Sequence, residues 1–169
     1  MRVLIVGGGC RGRDLAQQLI EDGQAARCVT RTEDGRAAIE AAGAECWIGT
    51  PDVIGTLRYA LENVTLLLWL LGTASGEGEK IEPLHGSRLR MMLEKTTDTT
   101  VRGVIYEAAG PVGGELIASG LTEMEFAREK NAIPYALITA DPLGDRTEWL
   151  EQVHGAIDGL LDGPRRTGK

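Results

Sequence analysis

Short apolar runs alternate with amphipathic segments along the whole chain. The runs predict strands at residues 2–6, 27–31, 45–49, 64–71, 101–110 and 135–141. Apolar residues at helical spacing predict helices at residues 11–23, 35–43, 88–95, 125–131 and 148–161. The strand at residues 64–71 is the most hydrophobic segment, and continuous apolar strands are typical of a parallel sheet that is covered on both faces.

Three local signals add detail to this pattern. Thr50 followed by Pro51 predicts the start of a further helix, because proline is favoured at the first helical position. Thr122 and Glu125 have the spacing of a capping box and predict a helix start just before residues 125–131. Residues 72–86 are rich in glycine and charge, which predicts an exposed and mobile linker.

The alternation of strands and helices predicts an α/β fold. Because crossovers between parallel strands are right-handed, we expect a doubly wound parallel six-stranded sheet of the Rossmann type, with strand order 3-2-1-4-5-6. A ligand crevice is expected above strands one and four, where the strand order reverses. We expect residues 1–162 to form a single domain and residues 163–169 to be a disordered tail.

Charge and composition exclude several classes of partner. The net charge of −7 over 169 residues argues against broad binding to nucleic acid or to an anionic membrane, so an anionic ligand must be held by a few local donors. The longest apolar run is too short to cross a bilayer. Three scattered cysteines form neither a CxxC pair nor a metal-ligand cluster, which predicts no metal site and a reducing, cytoplasmic location.

A glycine-rich loop follows the first predicted strand. Gly7, Gly9 and Gly12 have the G-x-G-x-x-G spacing between a strand and a helix, which is the fingerprint of dinucleotide binding. The first glycine permits the tight turn, the second lets a pyrophosphate approach the backbone, and the third lets the helix pack on the strand. Cys10 lies within this loop, either as an oxidisable thiol or as a small residue that fits there.

The end of the second strand predicts which dinucleotide is bound. An acidic residue there would bind the ribose hydroxyls of NAD, but this chain has Arg31, with Thr30 and Thr32 beside it and Arg36 one helical turn further on. A guanidinium can grip a 2′-phosphate, so we predict NADP(H), with NAD(H) less favoured. Arg11 is a candidate to close over the same phosphate or the adenine. The alternative is that Arg31 is only a solvated charge at a strand end.

With these features, the chain resembles the atypical short-chain dehydrogenase/reductase group, including its NAD(P)-binding, NmrA-like and epimerase-like members. The resemblance runs through MRVLIVGGGCRGRDLAQQL, VTR, GAECWIGTPD, VTLLLWLLGTA and EFAREKNAIPYALITADP. It implies that the segment after strand three lies near the adenine and that the end of strand four lies along the cofactor. In this chain those positions are Thr50, Pro51 and Asp52, and Leu71, Gly72 and Thr73.

The chain departs from that group in its proton-relay residues. The resemblance implies a tyrosine with a lysine four positions later, but no Tyr-x-x-x-Lys occurs in the sequence. Ala108 and Ala109 stand where the group has a serine, and only one helix follows the sixth strand, so a substrate region is missing. The remaining catalytic candidates are Glu107 and His85, and a lone loop histidine is more often simply solvated.

Three functions follow as hypotheses. The first is a redox sensor or regulatory protein that binds NADP(H) with little or no turnover. The second is an NADPH-dependent oxidoreductase or epimerase-like enzyme acting on a small carbonyl substrate. The third is a nucleotide-binding regulatory domain of the potassium-transport type, which usually carries an acid where Arg31 stands. The apolar stripe of the last helix either covers its own sheet or pairs two subunits in a homodimer.

Overall fold

Six parallel strands form one sheet in the order β3-β2-β1-β4-β5-β6, as the sequence predicts. The computed structural model describes residues 1–76 and 78–163, so the predicted tail lies outside the described residues apart from Gly163. The strands are β1 (Arg2–Gly7), β2 (Ala25–Thr30), β3 (Glu45–Ile48), β4 (Leu66–Leu70), β5 (Gly103–Glu107) and β6 (Tyr135–Ile138). The helices are α1 (Gly9–Glu21), α2 (Arg36–Ala41), α3 (Gly78–Ile81), α4 (Ser87–Thr96), α5 (Gly114–Asn131) and α6 (Arg146–Leu161).

Alternating side chains of the central strands build two cores, one on each face of the sheet. Val3 and Ile5 of β1 pack in the core that contains Trp149 of α6, whereas Leu4 and Val6 pack in the core of the opposite face. Every residue of β4 is buried, because the strand lies at the centre of the sheet with both faces covered. The apolar stripe of α6 therefore covers its own sheet, through Trp149, Val153 and Ile157.

Two predicted helix starts are wrong. After β3, the side chain of Thr50 accepts from the backbone N–H of Asp52, and the backbone N–H of Val53 donates to the carbonyl of Thr50. These bonds close a tight turn, and the chain continues as two short 3-10 segments, Ile54–Leu57 and Tyr59–Leu61, instead of an α-helix. Apolar residues three apart in these segments reach the core, which a 3-10 helix accommodates.

The predicted capping box at Thr122 and Glu125 is also not a helix end. Both residues lie inside α5, which runs without a break from Gly114 to Asn131. The hydroxyl of Thr122 donates to the carbonyl of Ala118, one turn earlier. This bond gives the threonine a backbone partner within the helix, so the side chain does not need to cap one.

Within the described ranges, no helix is long and apolar enough to cross a membrane.

A glycine in α5 sets how closely that helix approaches the sheet. A Cβ atom at Gly120 would overlap the phenol group of Tyr106, which is fully buried on β5. Gly155 is also in the interior of a helix, α6, but a Cβ atom there would meet nothing within 4 Å. The two positions therefore share their helical backbone and differ in the space available.

We predict that Gly120→Ala lowers the free energy of unfolding by about 1–3 kcal/mol, because the added methyl overpacks the core. Gly155→Ala should raise it by about 0.5–1 kcal/mol through helix propensity alone. Urea denaturation of both variants measures the difference. A stabilised Gly120→Ala protein would contradict the close approach of α5 to Tyr106.

Candidate functional site

The glycine loop turns from β1 into α1 directly beside the end of β4. Gly7, Gly8 and Gly9 have φ angles of 87°, 81° and 53°, and the backbone N–H of Gly8 donates to the carbonyl of Leu70 at 2.8 Å. A Cβ atom at Gly7 would overlap that carbonyl, and one at Gly12 would lie 2.9 Å from the carbonyl of Gly7. The protein itself therefore requires glycine at positions 7 and 12.

Gly9 differs from its neighbours because it faces open space. A Cβ atom there would meet no protein atom within 4 Å. Three adjoining cavities of about 340, 250 and 250 Å³ share Gly9 in their walls. They lie at the carboxyl ends of the strands, where open α/β sheets bind ligands. We call them the Arg31 cavity, the Thr30 cavity and the Glu107 cavity, after the residue that distinguishes each.

The Arg31 cavity contains an ion pair between the ends of β2 and β3. A guanidinium nitrogen of Arg31 lies 3.2 Å from Oδ2 of Asp52, and the two side chains are 62% and 40% exposed. Thr50 donates its hydroxyl to the same carboxylate oxygen of Asp52, at 3.1 Å. A pair this exposed contributes little to stability, so a ligand can replace Asp52 as the partner of Arg31 at low cost.

The other residues near the end of β2 that were predicted to bind the cofactor lie partly in a cavity wall and partly on the protein surface. Thr30 lines the Thr30 cavity, and its hydroxyl donates to the carbonyl of Thr32 at 3.3 Å. Arg36 instead pairs with Glu33 and Glu40 on the exposed face of α2. Its side chain lines none of the three cavities in the part of the chain that the structure describes. Pro51, which follows Thr50, is buried in the turn after β3.

Arg11 extends away from Arg31, toward the other side of the loop. Its guanidinium donates to the carbonyls of Asp141 and Gly144, in the connection between β6 and α6. That it closes over the 2′-phosphate or the adenine therefore stays a prediction, and it would require Arg11 to leave these two carbonyls. Arg11 and Cys10 both line the Glu107 cavity, and the thiol of Cys10 is exposed and accepts from Arg13 at 3.2 Å.

The end of β4 supplies backbone and small side chains to the crevice. Leu71 lines the Arg31 cavity, and Thr73 lines both that cavity and the Glu107 cavity. Gly72 lies against the backbone of Ala109, where a Cβ atom would overlap the carbonyl. Its N–H donates to Oε1 of Glu107 at 2.9 Å, so this glycine joins the ends of β4 and β5.

Glu107, at the end of β5, is buried, and each of its carboxyl oxygens accepts one hydrogen bond. Oε1 accepts from Gly72, and Oε2 accepts from the indole N–H of Trp149 at 2.8 Å. Burial raises the pKa of Glu107, while the hydrogen bonds from Trp149 and Gly72 and the charge of Arg11 oppose the rise. The carboxyl group nevertheless lines the Glu107 cavity beside the glycine loop, so it keeps an open side.

His85 is buried, so the prediction of a solvated loop histidine is wrong. Its Nε2 lies 3.1 Å from the carbonyl of Leu71, which can only accept, so Nε2 carries the proton. Nδ1 then accepts from the hydroxyl of Tyr106 at 2.6 Å. Burial lowers the pKa of His85, and the bond to Leu71 partly offsets this. Because both ring nitrogens have protein partners, His85 acts as an anchor for the segment that precedes it.

That segment was predicted as a mobile linker, but it forms a wall of the crevice. Residues 78–85 fold as α3 followed by a 3-10 segment, and the indole N–H of Trp69 donates to the carbonyl of Leu84 at 2.9 Å. Lys80, Ile81 and Leu84 line the Arg31 cavity, and sequence reasoning missed all three. The spacing of Ile81 and Leu84 in EKIEPLHG was the available signal, because one helical turn separates them.

A further cavity, about 960 Å³, lies at the opposite end of the sheet. It is an open groove beside the residues that precede β4 and β5, such as Asn63 and Thr100. None of the predicted site residues lines it. Ligands of open α/β sheets bind at the other edge, so the glycine loop remains the candidate site. Within residues 1–76 and 78–163, no three His, Cys, Asp or Glu side chains converge to hold a metal ion.

Comparisons with known proteins agree with this assignment of the fold. The chain is similar to UDP-glucose 4-epimerase from Thermotoga maritima, with a TM-score of 0.66 and 16% identity over 81% of this chain and 54% of that one. It is also similar to the triphenylmethane reductase of Citrobacter sp. complexed with NADP(H), with a TM-score of 0.60 and 18% identity over 82% of this chain and 48% of that one. A third similar structure is an NADPH-dependent quinone oxidoreductase of Escherichia coli, with a TM-score of 0.57 and 19% identity over 82% of this chain and 46% of that one.

These neighbours confirm the predicted fold. It is the Rossmann-like α/β fold of epimerases and reductases, which is the architecture that the resemblance to the short-chain dehydrogenase/reductase group implied. No protein-family model matches the sequence, and a comparison with curated proteins found no match. The chain spans about half the length of the structures it resembles.

The buried histidine gives a pH-dependent prediction. In the unfolded chain His85 binds a proton below its ordinary pKa of about 6.5. The folded protein keeps it neutral to lower pH, because its pKa is lowered. The unfolded state therefore binds more protons below about pH 6.5, and folding stability falls there by up to about 1.4 kcal/mol per pH unit until the folded group also titrates.

His85→Gln keeps one donor and one acceptor but does not titrate. We expect the stability advantage of the wild type over this variant to shrink as the pH falls from about 8 to about 5.5. Urea denaturation across this range measures the difference, and the contribution of Glu107 cancels between the two proteins. A difference that stays constant with pH would contradict a neutral, buried His85.

Proposed function

We propose that this protein binds NADP(H) at the glycine loop and works as a redox sensor or regulatory protein with little or no turnover. The observation that carries the proposal is the open side of Gly9. The loop has the dinucleotide fingerprint. At Gly7 and Gly12 protein atoms fill the space that a Cβ atom would occupy, whereas at Gly9 that space is empty. The first N–H groups of α1 have no partner within their helix, and the helix dipole favours an anion beside them.

The charges around the crevice support a phosphorylated ribose. Arg31 and Lys80 both line the Arg31 cavity, so two cations surround the position where the adenosine half would lie. Asp52 opposes them, but its side chain is 40% exposed and its contact with Arg31 faces solvent. A 2′-phosphate offers Arg31 a stronger partner than one carboxylate, since it carries up to two negative charges and several acceptor oxygens. This favours NADP(H) over NAD(H).

The absence of a proton relay supports the regulatory reading. The three tyrosines lie elsewhere: Tyr59 is exposed, Tyr106 is buried against His85, and Tyr135 donates to Glu125. In the described part of the chain, none of them lines the three crevice cavities. A carbonyl bound above the loop would therefore lack the tyrosine that usually supplies its proton in the group that the chain resembles.

A second candidate function is an NADPH-dependent oxidoreductase or epimerase-like enzyme for a small carbonyl substrate. The observation in its favour is the cavity of about 250 Å³ in which Glu107, a carboxyl group of raised pKa, faces the glycine loop. Such a group can exchange a proton with a bound substrate. Steady oxidation of NADPH with a panel of small aldehydes and ketones would favour the enzyme, and tight binding without turnover would favour the sensor.

The choice of dinucleotide is tested by titration. We expect the wild type to bind NADPH more tightly than NADH. Arg31→Ala should weaken NADPH binding by about 10- to 100-fold, which is the loss expected for charge-assisted hydrogen bonds, and leave NADH binding nearly unchanged. Isothermal titration calorimetry measures both constants.

Arg36→Ala is the matched control, because it removes a nearby arginine whose partners are Glu33 and Glu40. It should leave the affinity for both dinucleotides unchanged. Asp52→Asn should strengthen NADPH binding, since it frees Arg31 and removes a negative charge from the cavity. Equal or tighter binding of NADH by the wild type would overturn the preference for NADP(H).

A further inference from the structure

Glu107 is unusual among the acidic residues of this protein. Among the carboxylate side chains whose burial the structure describes, it alone is buried, with 1% of its surface exposed. Two neutral donors, the N–H of Gly72 and the indole N–H of Trp149, hold its oxygens. No cation contacts it directly through an ion pair within residues 1–76 and 78–163. The carboxyl group is therefore fixed in place by neutral donors and has no ion-pair partner in those ranges.

The position of Glu107 matches the nicotinamide half of a dinucleotide. A dinucleotide lies across the point where the strand order reverses, with one mononucleotide on each side of the glycine loop. Arg31 lies at the end of β2, on one side, and the adenosine half is proposed to lie there. The sheet order then places the other half over β4 and β5, and β5 ends at Glu107. The Glu107 cavity joins that carboxyl group to Gly8, Gly9 and Thr73.

We propose that Glu107 makes the crevice discriminate between the oxidised and the reduced cofactor. The nicotinamide ring is a cation in NADP⁺ and neutral in NADPH, so an ionised carboxylate beside the ring favours the oxidised form. This inference rests on the proposed function, because it requires that the dinucleotide binds at the glycine loop. A protein that senses redox state must bind NADP⁺ and NADPH with different affinities, and this carboxylate would provide the difference.

Other charged groups near Glu107 do not remove this preference. The charge of Arg11, from α1, favours the ionised form of Glu107, but its guanidinium is directed to the carbonyls of Asp141 and Gly144. Cys10 also lines the cavity, and Tyr106 on β5 stays protonated because burial and the charge of Glu107 raise its pKa. The contributions of α6 and of the β6–α6 connection are uncharged, from Trp149, Pro142 and Leu143.

The preference should depend on pH in a defined direction. Burial keeps a larger fraction of Glu107 protonated than an exposed glutamate would be. When NADP⁺ binds a molecule in which Glu107 is neutral, the ring cation promotes ionisation and one proton is released to solvent. NADPH has no such effect, since its ring is neutral. The ratio of the dissociation constants, NADP⁺ over NADPH, should therefore fall as the pH rises.

The experiment measures both dissociation constants between about pH 6 and about pH 9. We compare the ratio of the two constants because the 2′-phosphate titrates near pH 6 in both NADP⁺ and NADPH, so its effect on binding cancels. In the wild type we expect the ratio to fall by up to about tenfold per pH unit within the titration range of Glu107. In Glu107→Gln it should be flat and higher than the wild-type ratio at the upper end of the range. Glu148→Gln, which removes an exposed carboxylate one position from Trp149, should retain the wild-type profile.

A second variant tests the same carboxyl group without removing it. Trp149→Phe deletes the indole N–H that donates to Oε2 of Glu107. Because that hydrogen bond stabilises the ionised carboxylate, the pKa of Glu107 should rise when it is removed. The fall in the ratio should then move to higher pH, which a loss of packing alone would not produce. This variant also serves if Glu107→Gln does not fold.

The outcomes separate the two proposals. If the wild type binds neither NADP⁺ nor NADPH, the proposed function itself fails. If it binds both and Glu107→Gln keeps the wild-type ratio throughout the pH range, the proposed function stands and the role of Glu107 is refuted. A wild-type profile that is lost in Glu107→Gln, or displaced to higher pH in Trp149→Phe, supports the role.

Discussion

The contact between the glycine loop and the end of β4 is the constraint on which the site depends. The N–H of Gly8 donates to the carbonyl of Leu70, and Gly7 lies so close to the same carbonyl that no side chain fits. This approach fixes the turn at the point where the strand order reverses. The start of α1, with its unpaired N–H groups, is thereby placed over the carboxyl edge of the sheet, and the three cavities meet at Gly9.

The charged groups of the crevice are held by weak or internal partners. Arg31 pairs with an exposed carboxylate, Arg11 with two backbone carbonyls, and Glu107 with two neutral donors. In a protein with a net charge of −7, such local groups must supply the affinity for an anionic ligand. A bound anion would replace some of these partners while the side chains keep their positions. The hydrogen bond between His85 and Tyr106 fixes the end of the crevice wall that carries Lys80, so this lysine is also held near the cavity.

Sequence patterns predicted the sheet well because buried parallel strands and a glycine fingerprint are local signals. The six strands, their order and the glycine turn all follow from short segments whose meaning does not depend on distant residues. The errors arose where tertiary contacts decide. His85 looked solvated because its partners, Tyr106 and Leu71, are brought to it only by folding. Likewise, the ion pair of Arg31 with Asp52 and the bond of Trp149 to Glu107 join residues from different elements, which no single segment reveals.

The central claim, that the main chain at Gly9 receives a diphosphate, is tested most directly by NADPH titration of Gly9→Ala against Gly23→Ala. Both glycines have positive φ, 53° and 82°, and a Cβ atom at either would meet nothing within 4 Å. The backbone strain is therefore similar, but only Gly9 lies in the crevice, since Gly23 follows the far end of α1. The account predicts a loss of at least about tenfold in NADPH affinity for Gly9→Ala and wild-type affinity for Gly23→Ala. Unchanged NADPH affinity in Gly9→Ala, or an equal loss in both variants, would contradict it.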